Sequence, residues 1–430
     1  MTHQHWPMKS IGDLFEIGAG KTMSAMAREG LHRRPFLRTS NVLWDEIDLS
    51  VIDEMAITDE ELRDKSLAPG DLLVCEGGDI GRAAVWTGQR EVMSFQNHLH
   101  RLRPKTNLTC SRFYVYFLQC GFTQLGIFDG AGNKTTIPNL SKNRLAGLDV
   151  PLPPFWEQQA ITALLSKVRD GIGMHAEATR LATELKTASM NYLFTRGLRG
   201  EAQKETEIGW VPESWDVVPL GQLGRVGNGS TPKRSIPAYW TDGTYPWLTS
   251  AKVYDREITR ADQFVTSTAL AECHLPKVQP GALLMAITGQ GKTLGHCAVL
   301  QVEATVSQHV AYVQTDLTRA NPGFVRGYLE TQYDYLRQIG AGGGSTKGAL
   351  TCSFLRSLPI PLPSKPEQGE VVEVLDSIDR KIALHQQKRA VLEDLFKALL
   401  HKLMTGEIDV NDLDLQALSA HEPATEGSLA

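Results

Sequence analysis

The sequence predicts a mixed α and β protein (α/β, grading to α+β), built as two strand-rich domains in tandem, each followed by one long helix. Three observations carry that prediction. The chain repeats itself at an offset of 210 residues, Leu148-Asp-Val-Pro-Leu-Pro-Pro-Phe-Trp-Glu-Gln158 recurring as Leu358-Pro-Ile-Pro-Leu-Pro-Ser-Lys-Pro-Glu-Gln368. Short apolar runs between Gly-rich turns fill the first part of each repeat. After each Pro-Leu-Pro the pattern changes to apolar residues spaced alternately by three and four.

Further blocks align the same way. Trp6–Thr22 matches Trp215–Thr231, and Gly-Ala-Gly-Asn-Lys-Thr from Gly130 matches Gly-Ala-Gly-Gly-Gly-Ser from Gly340. Between them, the segment Pro35-Phe-Leu-Arg-Thr-Ser-Asn-Val-Leu-Trp-Asp-Glu-Ile47 matches Pro246-Trp-Leu-Thr-Ser-Ala-Lys-Val-Tyr-Asp-Arg-Glu-Ile258, and Pro69-Gly-Asp matches Pro280-Gly-Ala. Runs such as Asp71 to Cys75 and Ala282 to Ile287 read as strands bounded by turns. The expected boundaries are a first domain over 1–153, a helix over 154–197, a connector over 198–215, a second domain over 216–363, a second helix over 364–406, and a weakly hydrophobic, disordered tail over 407–430.

Each helix starts where proline ends a strand, and Glu157 and Glu367 suit the positive end of the helix dipole. One seam runs Ile161, Leu164, Val168, Gly171, His175, Ala178, Ala182, Leu185, Ser189, Tyr192. The other runs Val371, Val374, Ile378, Lys381, His385, Lys388, Leu392, Leu395, Leu399, Lys402. The register is the same in both, so each helix is expected to pair along this seam in an imperfect coiled coil. His175 and His385, equivalent mid-helix points, read as packed polar seam residues rather than metal ligands, since no third ligand accompanies them.

Composition bounds the function. With 430 residues, 42% of them hydrophobic, each repeat can bury its own core. No apolar run approaches the roughly 18 residues of a membrane span, and the start lacks an apolar core behind a basic cap, so a cytoplasmic protein is expected. Cys75, Cys110, Cys120, Cys273, Cys297 and Cys352 show neither a Cys-x-x-Cys pair nor a zinc spacing and read as reduced thiols. The net charge of −5 argues against a nucleic-acid binder unless basic residues are locally sorted or partners share the phosphate contacts.

Motifs of catalysis fail on inspection. Gly20-Lys21-Thr22 and Gly291-Lys292-Thr293 end like a phosphate-binding loop, but Phe15 and Ala286 stand where it needs its first glycine, and the two are not equivalent in the repeat. Asn321-Pro322-Gly323-Phe324 lacks the second proline of an amino-methyltransferase motif and reads better as a helix start. Asp71 and Glu76 have Ala282 and Ile287 as counterparts, so no paired carboxylate site for a metal emerges.

Glu207-Ile-Gly-Trp-Val-Pro-Glu-Ser-Trp215 followed by Leu220-Gly221, the doubled Pro-Leu-Pro with Glu-Gln just after, and the helix closing each half together resemble the specificity subunits of Type I restriction-modification enzymes. The resemblance covers residues 6 to about 408. It implies two target-recognition domains that each read half of a bipartite double-stranded DNA site, and helices packed antiparallel that bind two methyltransferase subunits. It further implies a chain without catalytic activity, with S-adenosylmethionine on the methyltransferase subunits and ATP and magnesium on restriction subunits. A stand-alone DNA-binding regulator or scaffold built from the same modules is the alternative; a fused enzyme would need a methyltransferase domain for which the two repeats leave no room.

Candidate DNA-binding residues are polar or basic and lie in turns, especially turns matched between repeats. Lys21 and Thr22 pair with Ser230 and Thr231, Ser40 and Asn41 with Ala251 and Lys252, and Gln96 and Asn97 with Gln308 and His309. Arg38, Arg82 and Lys134 extend the set in the first domain; Lys233, Ser250, Gln290, Lys292 and Lys347 extend it in the second.

Overall fold

A computed structural model describes residues 6–126, 139–289, 292–341 and 349–413. The chain forms two compact units, one comprising residues 1–175 with 387–430 and the other residues 176–386.

In the first unit four antiparallel strands run in the order Phe15–Ala19, Leu99–Pro104, Leu72–Cys75, Ala83–Val85. Leu72-Leu73-Val74-Cys75 is apolar at every position because the sheet is covered on both faces. Leu72 and Val74 join the core beneath the helix Ser111–Cys120, while Leu73 and Cys75 join a second cluster with Trp86 and Phe95. A smaller sheet, Asp53–Ala56, Arg33–Leu37, Ser94–Phe95, ends in a parallel pair. Met8–Ser10 pairs with Asp149–Pro151, which draws the two ends of the domain together. The proline falls at the end of a two-stranded ribbon, where a missing N–H is tolerated.

The second unit repeats this plan. Gly224–Asn228, Val310–Thr315, Leu283–Ala286 and Cys297–Leu300 form the main sheet, with Glu257–Ile258 added parallel at its edge. Gln263–Val265, Tyr245–Leu248 and Thr305–Val306 form the smaller sheet, and Asp216–Pro219 pairs with Pro359–Leu362. Leu283 and Met285 again face one core while Leu284 and Ala286 face another.

The Glu-Gln that follows each Pro-Leu-Pro has a structural explanation. Gln158 is fully buried; its Oε1 accepts from Cys110 N at 2.9 Å, and its Nε2 donates to Leu108 O at 3.2 Å and Pro153 O at 2.8 Å. Gln368 repeats this arrangement with Asn321 N at 2.7 Å, Arg319 O at 3.2 Å and Pro363 O at 2.9 Å. One amide thus fastens the start of each long helix to the loop that opens a helix of its own domain, Ser111–Cys120 or Pro322–Thr331.

The long helices span Phe155–Arg196 and Lys365–Thr405 and pack antiparallel. In the first unit Ile161, Leu164 and Leu165 share a core with Leu400, Leu403 and Met404. In the second, Met190, Leu193 and Phe194 share one with Val371 and Leu375. Ile161, Leu164, Val168, Val371 and Ile378 are buried, and His175, His385 and Leu392 are partly so. The expected seam is exposed at seven places: Leu185, Val374 and Leu395 at 56%, 38% and 43%, and Tyr192, Lys381, Lys388 and Lys402 with them. Near its ends each helix must also bury a face against the adjoining domain, so the buried stripe there runs through Leu165, Leu193, Phe194, Leu375 and Leu400. A strict heptad reading cannot anticipate that turn of the face.

Two boundaries also need correction. The connector carries a β-hairpin, Gln203–Thr206 against Gly209–Pro212, with Gly209 in the left-handed region at its turn. The start of the expected disordered tail folds: Val410, in a short 3-10 turn, is buried in the first unit's core. Residues 414–430 lie outside the described residues. No helix among the described residues is long and apolar enough to cross a membrane.

Candidate nucleic-acid interface

The smaller sheet and the first main-sheet strand of each domain meet in a short parallel junction, and most matched turn residues collect there. In the first unit Lys21 bridges to Gln96: Lys21 N donates to Phe95 O at 2.9 Å and Asn97 N to Lys21 O at 3.0 Å. In the second unit Ser230 N donates to Val306 O at 3.1 Å. The preceding glycine has a steric cause. A Cβ on Gly20 would lie 2.3 Å from Gln96 O, and one on Gly229 would lie 1.6 Å from Val306 O. The Gly-Lys-Thr that imitates a phosphate loop is therefore a close strand crossing.

The junction also corrects a pairing. Gln96 N donates to Leu37 O and Ser307 N to Leu248 O, both at 2.9 Å, so Gln96 corresponds to Ser307 and Asn97 to Gln308. The sequence alignment had Gln96 against Gln308, one residue out of register.

Beside the first junction lies a cleft of about 490 Å³ lined by Arg28, Arg33, Arg38, Phe36, Asp53 and Gln96. Arg38 pairs with Asp53 and remains half exposed. Arg33 is fixed by donating to Arg28 O at 2.5 Å and Glu54 O at 2.7 Å. Lys21 Nζ lies 2.5 Å from Glu61, and this hydrogen bond, with one from Thr58 N, holds the Glu61 carboxyl below its ordinary range. Thr22 and Ser40 are exposed at the rim.

At the second junction the polar side chains form a chain. Thr231 Oγ1 donates to Gln308 Oε1, Gln308 Nε2 lies 3.2 Å from His309 Nε2, and His309 Nδ1 lies 2.5 Å from Thr288 Oγ1. Alongside, the Arg234 guanidinium sits 3.7 Å from the Trp240 ring centroid and donates to Gln263 Oε1 at 2.5 Å. Trp240 itself meets Trp247 edge to face at 5.2 Å. Lys233 and Lys292 are exposed, while Ser250 begins the short helix Ser250–Tyr254 and is half-buried.

Three candidate side chains are bonded within the fold. Asn41 is buried, accepting from Arg38 N and donating to Asp48 O and Val51 O, each at 2.9 Å. Its counterpart Lys252 spends its charge on Asp262 at 2.9 Å and Asp255 at 3.5 Å. Arg82 is held by Asp79 at 2.5 Å and Thr39 O at 2.8 Å. All three brace the turn after the smaller sheet's central strand. Polar side chains in matched turns are as often turn staples as readers, and spacing alone cannot separate them. Lys134, Gln290 and Lys347 lie outside the described residues. Sequence reading missed Arg28, Arg33 and the Arg234–Trp240 stack. Lys233-Arg234 close before Tyr239-Trp240 was the available signal, a basic pair beside aromatics.

Among the described residues no group of three or more His, Cys, Asp or Glu side chains is placed to hold a metal ion. The arrangement offers hydrogen-bond donors, acceptors and a few cations at two topologically equivalent rims.

Comparison with known proteins agrees with this doubling. The model of one family, the Type I restriction modification DNA specificity domain, matches twice, at residues 3–182 and 212–394. The specificity subunit of the type I restriction enzyme MjaVIII of Methanocaldococcus jannaschii is 24% identical over 418 residues, 96% of this chain and 95% of its own. The S subunit of a Type-I restriction-modification system from M. genitalium shares the fold at a TM-score of 0.58 and 15% identity, over 94% of this chain and 97% of that one. A chain from a structure addressing complex assembly and conformational transition of the type I R-M system does so at 0.57 and 18%, over 95% and 100%.

Proposed function

The chain belongs to the family of Type I restriction modification DNA specificity domains, and from that premise we propose that it selects the DNA site at which partner subunits act. Each repeat supplies one reader for half of an interrupted, asymmetric double-stranded site. The observation that carries this reading is the equivalence of the two rims: one strand junction, twice folded, dressed with different side chains. In the first, Gln96, Asn97 and the arginines around the cleft present cations and amides. In the second, Thr231, Gln308, His309 and Arg234 do so. Gln and Asn suit adenine and Arg suits guanine, so two differently dressed rims read two different half-sites.

The long helices then serve as spacer and as the surface for two methyltransferase subunits, with restriction subunits joining through them. S-adenosylmethionine belongs on the methyltransferase subunits, and ATP and magnesium on the restriction subunits. The chain itself selects and performs no bond-making step. Expressing it with its methyltransferase partner in a host lacking other such systems, followed by methylome sequencing, tests this. The expected result is one interrupted motif that disappears when this chain is omitted. A motif independent of the chain, or a chain that purifies without any partner and binds DNA alone, would assign it to stand-alone regulation.

A further inference from the structure

Asp45 and Arg256 occupy one position of the repeat, set by the alignment of Pro35–Ile47 with Pro246–Ile258, and they carry opposite charges. Each sits in the turn that leads from the smaller sheet toward its own long helix. The Asp45 side chain is nearly buried and accepts from Arg112 Nε at 2.9 Å and from Tyr116 OH at 2.7 Å. The same Tyr116 hydroxyl lies 3.0 Å from Ser166 Oγ on the long helix Phe155–Arg196, where Arg169 follows three residues later. In the second unit Arg256 donates directly to Asp376 and Asp379 of the helix Lys365–Thr405.

At the repeat's offset Ser166 corresponds to Asp376 and Arg169 to Asp379, so the sign is reversed on the helix as well as in the turn. The surroundings follow suit. Tyr116, which relays Asp45 to the helix, has Gly327 as its counterpart, where a Cβ would already lie 3.2 Å from Phe194. With the ring gone, the Arg256 guanidinium itself reaches the helix. Lys186 then joins Asp379 at 3.1 Å and Glu330 at 2.7 Å, whereas the equivalent Phe396 of the first unit offers its ring to Tyr116 at 6.0 Å.

We propose that Asp45 and Arg256 key each recognition domain to the helix that follows it, Arg256 by direct ion pairs and Asp45 through the Tyr116 hydroxyl, so that the second domain is a misfit on the first helix. They are positioning residues: they set how a reader is seated on the spacer and touch no base. A second domain seated on the first helix would set the Arg256 guanidinium toward Ser166 and Arg169, a like charge with no carboxylate to answer it. Such repulsion discriminates more strongly than the attraction stabilises, because a half-buried charge left unpaired costs more than a formed pair returns. The inference rests on the two-reader function only for its readout in DNA.

The test reverses the charges of the second key in the full chain, assembled with its methyltransferase partner. Arg256→Asp alone and Asp376→Ser with Asp379→Arg alone are each expected to lower the melting temperature of the chain. Each should also cut methylation of the native motif about tenfold or more, as loss of a partly buried ion pair does. The combined triple variant is expected to recover to within about threefold, since it restores opposite signs. Losses that merely add in the triple variant overturn the proposal.

A chimera in which residues 216–357 replace residues 7–147 supplies a second arm. It is expected to assemble and methylate a site with two second-type halves only when Ser166→Asp and Arg169→Asp are present. Equal activity without them overturns the key. Absence of any motif with the native chain would instead strike the two-reader function, while the melting comparison still decides whether the three positions are coupled.

Discussion

Gln158 and Gln368 show how much one side chain can fix. Each makes three hydrogen bonds to backbone, one of them buried and two partly buried, so replacement by alanine strips partners from groups that water reaches poorly. We expect Gln158→Ala and Gln368→Ala each to destabilise the chain by about 2–4 kcal/mol, measured by denaturant unfolding. Neighbouring Glu157 behaves differently. It accepts from Trp6 Nε1 at 3.1 Å, yet burial pushes its carboxyl up from the ordinary range, with a smaller push from Asp409. A carboxyl with a raised folded pKa binds its proton more readily in the native chain than in the unfolded one. The native state is thus favoured at low pH, and stability falls as pH rises through the raised value. Glu157→Gln should accordingly stabilise the chain at neutral pH, with the advantage shrinking as the pH is lowered through the carboxylate range. Equal melting curves at pH 7 would refute the burial argument. Of the rim residues, Gln308→Ala and His309→Ala should weaken or relax recognition of one half-site by about 1–3 kcal/mol with little change in melting temperature. Asn41→Ala should do the reverse, because its three bonds are internal.

At the level of elements, the helices of 42 and 41 residues are long enough to act as a ruler. Insertion of seven residues into both, after Ala178 and after Lys388, adds nearly two turns to each, about 10 Å, and keeps the apolar stripe on its face. The methylated motif should then lengthen its spacer by about three base pairs. Retention of the original spacing by an assembled complex would show that the helices do not measure the site. Gly171 limits how the helices can be rebuilt, since a Cβ there would lie 3.2 Å from Leu392 Cδ1. Larger residues at that position would need the leucine to move.

For the whole molecule, the repeat makes the readers exchangeable in principle while each stays keyed to its own helix. Replacing residues 216–357 with the corresponding segment of a related subunit should change one half-site and spare the other, as methylome sequencing would record. An exchange that altered both would contradict two separable readers.

The tandem architecture, the place of the long helices and the turns that carry polar side chains were legible in the sequence because each leaves a local trace. A repeat is visible as identity at a fixed offset, a helix as spacing, a turn as Gly, Pro and Asn. Three things were not legible. The helix face at Leu185, Val374 and Leu395 depended on the domain each helix end leans against, which no periodicity encodes. Which candidate turn residues are bonded within the fold depended on the partners within hydrogen-bond reach, and those of Lys252 and Arg82 are acidic groups or carbonyls brought in by folding. The register that sets Asn97, not Gln96, against Gln308 was decided by a backbone ladder between strands far apart in sequence. The local pattern determined what the chain could build; contacts across tens of residues decided which side chains remained free to meet another molecule.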